Sequence, residues 1–411
     1  MKAVVTALHW FPDCPSGSSQ LAGGHARELA RRGHEVWFVA QATDGAVPEH
    51  AEVDGIQVLR YPPPHRRGFD PRRATAHQMA VSGLLNRWVG DGVDAVHGHS
   101  LLPTLAALDR YGKTAATSYH IHSPARAEFR ATARGASPLE AMRLALAGEI
   151  LHRLEWRVLR RTDFLIANSI FTRDRISEVH ARIDSDRIQV VPGWVDENRF
   201  QPVADREALK RGLGLATDRP VFFALRRLVP RMGLDRLILA LSRLARRGAR
   251  FQAVIGGDGP LRSTLEEQSR VLGLGDAVVF RGRVPDADLP GLYAAADAFV
   301  LPTAELECFG LIALEAMASG RPVLATPVAA IPEIVGRFEP AWLARDPSSE
   351  AIEEVIRKFL AGELPVHDPN VLSARVKEQF GAANVLPRLL EATRPRLVKR
   401  GDVGLGASSD R

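Results

Sequence analysis

The chain has 411 residues, enough for two core-bearing domains, and 45% hydrophobic with 25% charged residues is the balance of a soluble globular protein. No apolar run approaches the roughly 18 residues of a spanning helix, MKAVVTALHW carries no cationic leader with a cleavage site, and two cysteines cannot build a disulfide framework, so a cytoplasmic protein is expected. The formal charge of +6 suits anionic small molecules or peripheral contact with an acidic inner membrane surface; no reading module or aromatic-basic interleave accompanies it, which excludes nucleic acid.

In chain order, short apolar strands alternate with amphipathic helices: Ala3 to Leu8, a helix ending in ELARRGHE, then Val36 to Ala40. Ala95 to His97, Ala115 to His122, Phe164 to Ala167 and Ile188 to Val191 follow, each separated by helical stretches. That alternation predicts a parallel, doubly wound sheet. Basic residues gather in HRRGFDPRR (His65 to Arg73) and in the helix-like HRLEWRVLRR (His152 to Arg161). VVPGWVDENRFQPVAD brings turn chemistry and a polar run to Arg219, which places a domain junction there. The pattern then restarts with Val221 to Leu225, Phe251 to Gly256, Ala277 to Phe280, Ala298 to Leu301 and Pro322 to Ala325. The predicted division is 1–200, 201–380, a helix over 381–399, and a disordered tail over 400–411.

The stretch Pro302 to Glu333, PTAELECFGLIALEAMASGRPVLATPVAAIPE, carries the strongest chemical signal. A helix is predicted from near Gly310 to Gly320, apolar all round apart from Glu315 and Ser319, and such a helix belongs inside a domain. A carboxylate there costs several kcal/mol, roughly, unless it is paired or hydrogen-bonded. Glu307 lies in the preceding loop, and the free N–H groups of the helix start at Gly310 and Leu311 face the same space. Helix starts bind phosphate and carboxylates accept from hydroxyl pairs, so the expected ligand carries both phosphate and polyol. Cys308 between Glu307 and Phe309 reads as a small loop filler.

Glu307 and Glu315, seven residues between them, followed by MASGRPVLATPVAAIPE, resemble the Glu-x7-Glu element of the retaining glycosyltransferases of family 4, whose fold is GT-B. The resemblance spans nearly the whole chain and is strongest from Arg226 to Glu333. It implies two facing Rossmann-like parallel-sheet domains: a first that binds the acceptor, a second that binds the nucleotide sugar, and a last helix, ANVLPRLLEATRPRL, that crosses back. HWFPDCPSGSSQ matches the family's Gly-Gly loop near the donor phosphates, with Gly17 and Ser18 in place and Ser16 replacing the first glycine. In RRLVPRMGLD, Arg227 takes the position of the family's diphosphate arginine. Met232 stands at the family's lysine, and the adjacent Arg231 is expected to supply the second cation. IGGDGPL puts Gly257 close to the nucleotide, FRGRVPDADL brings backbone near Val284 to the base, and Phe309 to Leu311 flank the donor.

VHGH and YHIHSP place His97 with His99, and His120 with His122, on strand faces, a pattern open to a four-histidine metal site, although no carboxylate completes it. The resemblance instead implies metal-independent donor binding, no cofactor, and His122 at the family's active-site histidine. The expected activity is retaining transfer of a hexose or a hexose derivative from a nucleoside diphosphate sugar, UDP favoured over GDP, to a small-molecule, glycan or lipid-linked acceptor hydroxyl. Glu307, His122 and Arg227 are its catalytic candidates, with Glu307 holding sugar hydroxyls and Glu315 the ribose. Two other readings stand beside it: a nucleotide-sugar 2-epimerase of similar architecture, and a sugar-nucleotide binding module without turnover.

Overall fold

The computed structural model describes residues 1–14, 16–43, 47–63, 71–133 and 137–393. The tail from 394 onward, with the end of the expected crossing helix, and most of the basic segment His65 to Arg73 lie outside the described residues.

The first sheet has eight strands: β1 (Lys2–Thr6), β2 (Glu35–Gln41), β3 (His50–Val53), β4 (Ile56–Tyr61), β5 (Ala95–Gly98), β6 (Ala116–Ile121), β7 (Phe164–Ala167) and β8 (Ile188–Val190). Their order is β3-β4-β2-β1-β5-β6-β7-β8, and every pairing is parallel except that of β3 with β4. The second sheet holds β9 (Val221–Leu225), β10 (Gln252–Gly256), β11 (Val278–Gly282), β12 (Ala298–Leu301) and β13 (Val323–Ala325) in the parallel order β11-β10-β9-β12-β13. Helices cover both sheets, as parallel strands buried on both faces require. The GT-B architecture implied by the sequence is therefore the observed one. The β3/β4 hairpin was not anticipated. Its turn residues Asp54 (φ 54°) and Gly55 (φ 75°) are both left-handed, and Asp-Gly between alternating residues is the signal that identifies such a hairpin.

In the second domain, Phe222, Phe223, Phe299 and Tyr293 are buried together, each contributing on the order of 1.5–3 kcal/mol. The chain crosses between the domains twice. On the second passage, Val195 pairs with Gly381, and the Glu197 carboxylate accepts from the N–H groups of Ala382 and Ala383. The helix Ala382–Ala392 then buries Val385, Leu386 and Leu389 against Ile166 and Val191 of the first domain. Further contacts hold the domains face to face. Glu333 accepts from the backbone N–H of Ile170 (2.8 Å) and Phe171 (2.7 Å) at a helix start, while Ser169 donates to the Cys308 carbonyl (2.6 Å).

Candidate active site

Loops at the carboxyl ends of both sheets meet between the domains, where open parallel sheets hold their ligands. The helix Gly17–Arg31 begins there behind a capping box, with Ser16 as cap and Ser19 reaching back. Opposite, the helix Leu311–Ala318 starts at Gly310, whose φ of 93° demands glycine and which places no side-chain cap on the helix. The two helix starts touch, since a Cβ on Gly17 would stand 3.1 Å from Leu311 Cδ1. Phe309 is buried, packed so tightly on Gly193 that a Cβ there would lie 2.7 Å from its ring.

Glu307 and Glu315 occupy different surroundings. Glu315 is buried, accepts from Tyr293 Oη at 2.8 Å, and lines a cavity of about 600 Å³ shared with Gln20, Gly24, Trp194 and Arg199. Burial pushes its carboxyl above the ordinary range, and the tyrosine hydrogen bond opposes that shift. Glu307 is partly exposed and paired at 2.6 Å with Arg226 Nη2. Arg226 is buried, and the same Nη2 lies 3.0 Å from Thr303 Oγ1 and 2.7 Å from Met232 Sδ. Its carbonyl is overlain by Gly257, where φ is 114° and a Cβ would stand 1.8 Å from that oxygen. Val284 packs beside the neighbouring Gly256.

The geometry adds a residue beside the expected Arg231. The cation beside Met232 belongs to Arg226, which sequence reasoning passed over. Arg231 stands beside this group, donating to the Leu306 carbonyl at 2.9 Å and lying 3.6 Å from Glu128 of the first domain, with the charges of Arg227, Glu307 and Arg226 also acting on it. Position 231 sits in the 3-10 turn Pro230–Met232, whereas Arg226 follows β9 directly and is buried. The Arg-Arg pair before an apolar residue at the lysine position was the available signal. Arg227 is exposed, its charge close enough to Arg231 to help depress that guanidinium, after burial, which is the larger cause.

In the first domain, Ser18 and His122 line a second cavity of about 300 Å³ with Tyr61, Tyr119 and Glu128. His122 Nε2 lies 3.2 Å from His99 Nδ1, and burial lowers its pKa to about 4, so the ring is neutral at pH 7. Ser18 and His122 are thus brought together, while Glu315 opens onto the other cavity. Cys308 is buried and its thiol is pushed up to about 12, which rules out a thiolate nucleophile at neutral pH. Among the described residues no helix is long and apolar enough to cross a membrane.

Residues 15–199 match the family model "Glycosyltransferase Family 4", and residues 205–379 match "Glycosyl transferases group 1". A GDP-mannose-dependent alpha-(1-6)-phosphatidylinositol monomannoside mannosyltransferase of Mycolicibacterium smegmatis is 31% identical, over 85% of this chain and 87% of that protein. A D-inositol 3-phosphate glycosyltransferase of Actinosynnema mirum is 30% identical over 81% of this chain and 82% of its own length. Among solved structures, a sucrose-phosphate synthase from Thermosynechococcus elongatus superimposes with a TM-score of 0.79 at 20% identity, covering 96% of this chain and 98% of that one. A further likeness is to WaaG, a glycosyltransferase involved in lipopolysaccharide biosynthesis, with a TM-score of 0.71 at 19% identity over 96% of this chain and 100% of that one.

Proposed function

This chain belongs to the family 4 glycosyltransferases of GT-B fold, and we propose that it moves a hexose from a nucleoside diphosphate sugar to an acceptor hydroxyl with retained anomeric configuration. The observation that carries this reading is the opposed pair of helix starts at Gly17 and Leu311, flanked by the Arg226–Glu307 pair on one side and buried Glu315 on another. Backbone N–H groups and a fixed guanidinium suit a diphosphate, and the two carboxylates suit hydroxyls of sugar and ribose. Charge grows on the leaving diphosphate as the glycosidic bond breaks, so cations held in place by the fold favour the transition state. Arg226 and Arg227 fill that role in this reading, and the departing phosphate oxygen takes the acceptor proton on the same face of the sugar. His122 on the first domain, neutral, hydrogen-bonds a donor hydroxyl. The sequence reading favours UDP, while the Mycolicibacterium relative is named for GDP-mannose; UDP-glucose and GDP-mannose are therefore the first donors to compare.

The experiment incubates each donor with an acceptor extract, follows nucleoside diphosphate release, and reads the product's anomeric configuration by NMR, with and without chelator. Acceptor-dependent release, a retained product and full turnover in chelator are expected. Donor isomerised at the sugar's second carbon identifies an epimerase instead, binding without consumption identifies a module, and the mechanism is overturned by an inverted product or by loss of turnover in chelator while circular dichroism shows the chain still folded.

A further inference from the structure

Behind His122, the one histidine the transfer reading uses, the first domain buries four more: His25, His97, His99 and His120. His97 on β5 pairs in register with Ser118 on β6, so His97, His99, Ser118, His120 and His122 all lie on one face of the sheet. The helix Gly17–Arg31 lies against that face and projects His25 into it, with ring centroids 4.6 Å from His97, 5.4 Å from His99 and 5.1 Å from His120. His25 is fully buried, and His97, His99 and His120 are at most 6% exposed.

The hydrogen bonds of the group stop short in one place. His97 Nδ1 meets Ser118 Oγ at 2.8 Å, His25 Nδ1 meets His99 Nε2 at 3.1 Å, and His99 Nδ1 meets His122 Nε2 at 3.2 Å. The Nε2 atoms of His25, His97 and His120 are each buried without a partner. The three residues also form a set whose ligand atoms lie within 4.8 Å of one another. Three nitrogens facing one another can satisfy at most one N–H···N pair, and each buried polar atom left over costs about 1–3 kcal/mol. With protons on Nδ1 of His97, His25 and His99, the chain of hydrogen bonds is consistent throughout and leaves bare lone pairs on His25 and His97 Nε2.

We propose that His25, His97 and His120 form a three-imidazole site for a divalent transition metal ion of the zinc class, inside the core of the first domain. Neutral imidazole nitrogens without thiolate or hard oxygen donors select zinc, copper or nickel over magnesium or calcium. Burial holds all three rings neutral, the form that ligates. Tetrahedral bonds of about 2.0–2.1 Å would set the nitrogens ~3.4 Å apart, so atoms now within 4.8 Å of one another draw in to that separation on loading. Ser118 and His99 then act as the outer partners that orient His97 and His25. The other buried set, His152 with Glu155 and His180, is already engaged, since Glu155 accepts from His180 (2.9 Å) and from the Ala125 N–H (3.1 Å). None of its three ligands is a residue of the transfer reading, which it reaches only through the His99–His122 contact, so its failure would leave that reading untouched.

The test grows the protein in defined medium supplemented in turn with zinc and with cobalt, strips loosely held metal with chelator, and measures metal per chain and the visible cobalt spectrum. Wild type is expected to hold about one ion per chain with the absorption of tetrahedral cobalt; His25→Leu, which fits the buried helix face, should lower occupancy at least tenfold. Ser118→Ala removes only an outer partner and should weaken retention against chelator by about 10–100-fold, which serves if His25→Leu fails to fold. A wild type free of metal from both media, or retention unchanged in both variants, overturns the site and leaves a buried histidine network.

Discussion

Arg226 and Met232 form a contacting pair. The cation stands at the end of β9, and an apolar thioether fills the position at which the family resemblance expects a lysine, with Nη2 and Sδ in contact. If Arg226 supplies the fixed charge, Arg226→Ala lowers kcat by about two to three orders of magnitude, the scale of losing one preorganised electrostatic donor. Adding Met232→Lys to that variant recovers part of the loss, because the ammonium returns to the same space. Arg231→Ala, whose guanidinium holds the Leu306 carbonyl, should change kcat by less than tenfold; steady-state kinetics on these variants decides, and an active Arg226→Ala enzyme would remove the residue from the mechanism. Gly257 is the second test at this scale. A methyl group there meets the Arg226 carbonyl and forces φ out of its value of 114°, so Gly257→Ala should cost about 3 kcal/mol or more and displace the arginine. Urea unfolding measures the first effect; a rise in donor Kd measures the second.

The helix Leu311–Ala318 shows how an element can carry an apparent contradiction. Its buried residues Ala313, Leu314, Ala316, Met317 and Ala318 make it a core helix, and Glu315 sits among them because Tyr293 and the 600 Å³ cavity receive its carboxyl. The raised pKa gives the sign of its effect on stability. Native Glu315 binds its proton more tightly than the unfolded chain does, so ionising it costs stability as pH rises from the ordinary carboxylate range through the raised value. Glu315→Gln should therefore be more stable than wild type at pH 7, and the advantage should disappear as pH falls to 4. Urea midpoints at the two pH values test this, while calorimetry with nucleoside diphosphate should show binding weakened by roughly 1.5–3 kcal/mol. Equal stability of the two proteins at pH 7 would mean that the carboxylate is solvated through its cavity.

At the scale of the molecule, the first domain has an acid limit built into its core. His25, His97, His99 and His120 are held neutral by burial, the His97 pKa at about 4, whereas each binds a proton below pH 6.5 once unfolded. The unfolded state then binds more protons, so stability falls as pH drops from 6.5 toward 4, by about 1.4 kcal/mol per pH unit for each histidine. Urea unfolding of the metal-stripped protein at pH 7, 6 and 5 should reveal that slope, reduced by one proton in His25→Leu. A flat profile would show the cluster to be hydrated. The second domain, whose core is built from Phe222, Phe223, Phe299 and their neighbours, lacks such a cluster among the described residues and should unfold at an acid limit set elsewhere.

Local sequence determined what depends on short spacing. The alternation of apolar strands with amphipathic helices specified two parallel sheets, and Glu307 with Glu315 around a glycine-started apolar helix marked the segment on which the proposed site is built, because period and helix-start chemistry are local properties. The edge hairpin was also written locally, in Asp54-Gly55, and went unread. The partners were decided by the fold alone. Arg226 meets Glu307 across 81 residues and Arg231 meets the Leu306 carbonyl across 75, because β9 and β12 are neighbouring strands of one sheet and the loops that follow them lie side by side. His25 is the clearest case: on its own helix it is one polar residue on an apolar face, and only the packing of that helix over β5 and β6 turns it, His97 and His120 toward one point. Contacts between residues far apart in the chain exist only once sheet order and helix placement are settled, and those follow from the sum of burial over both domains rather than from any one segment.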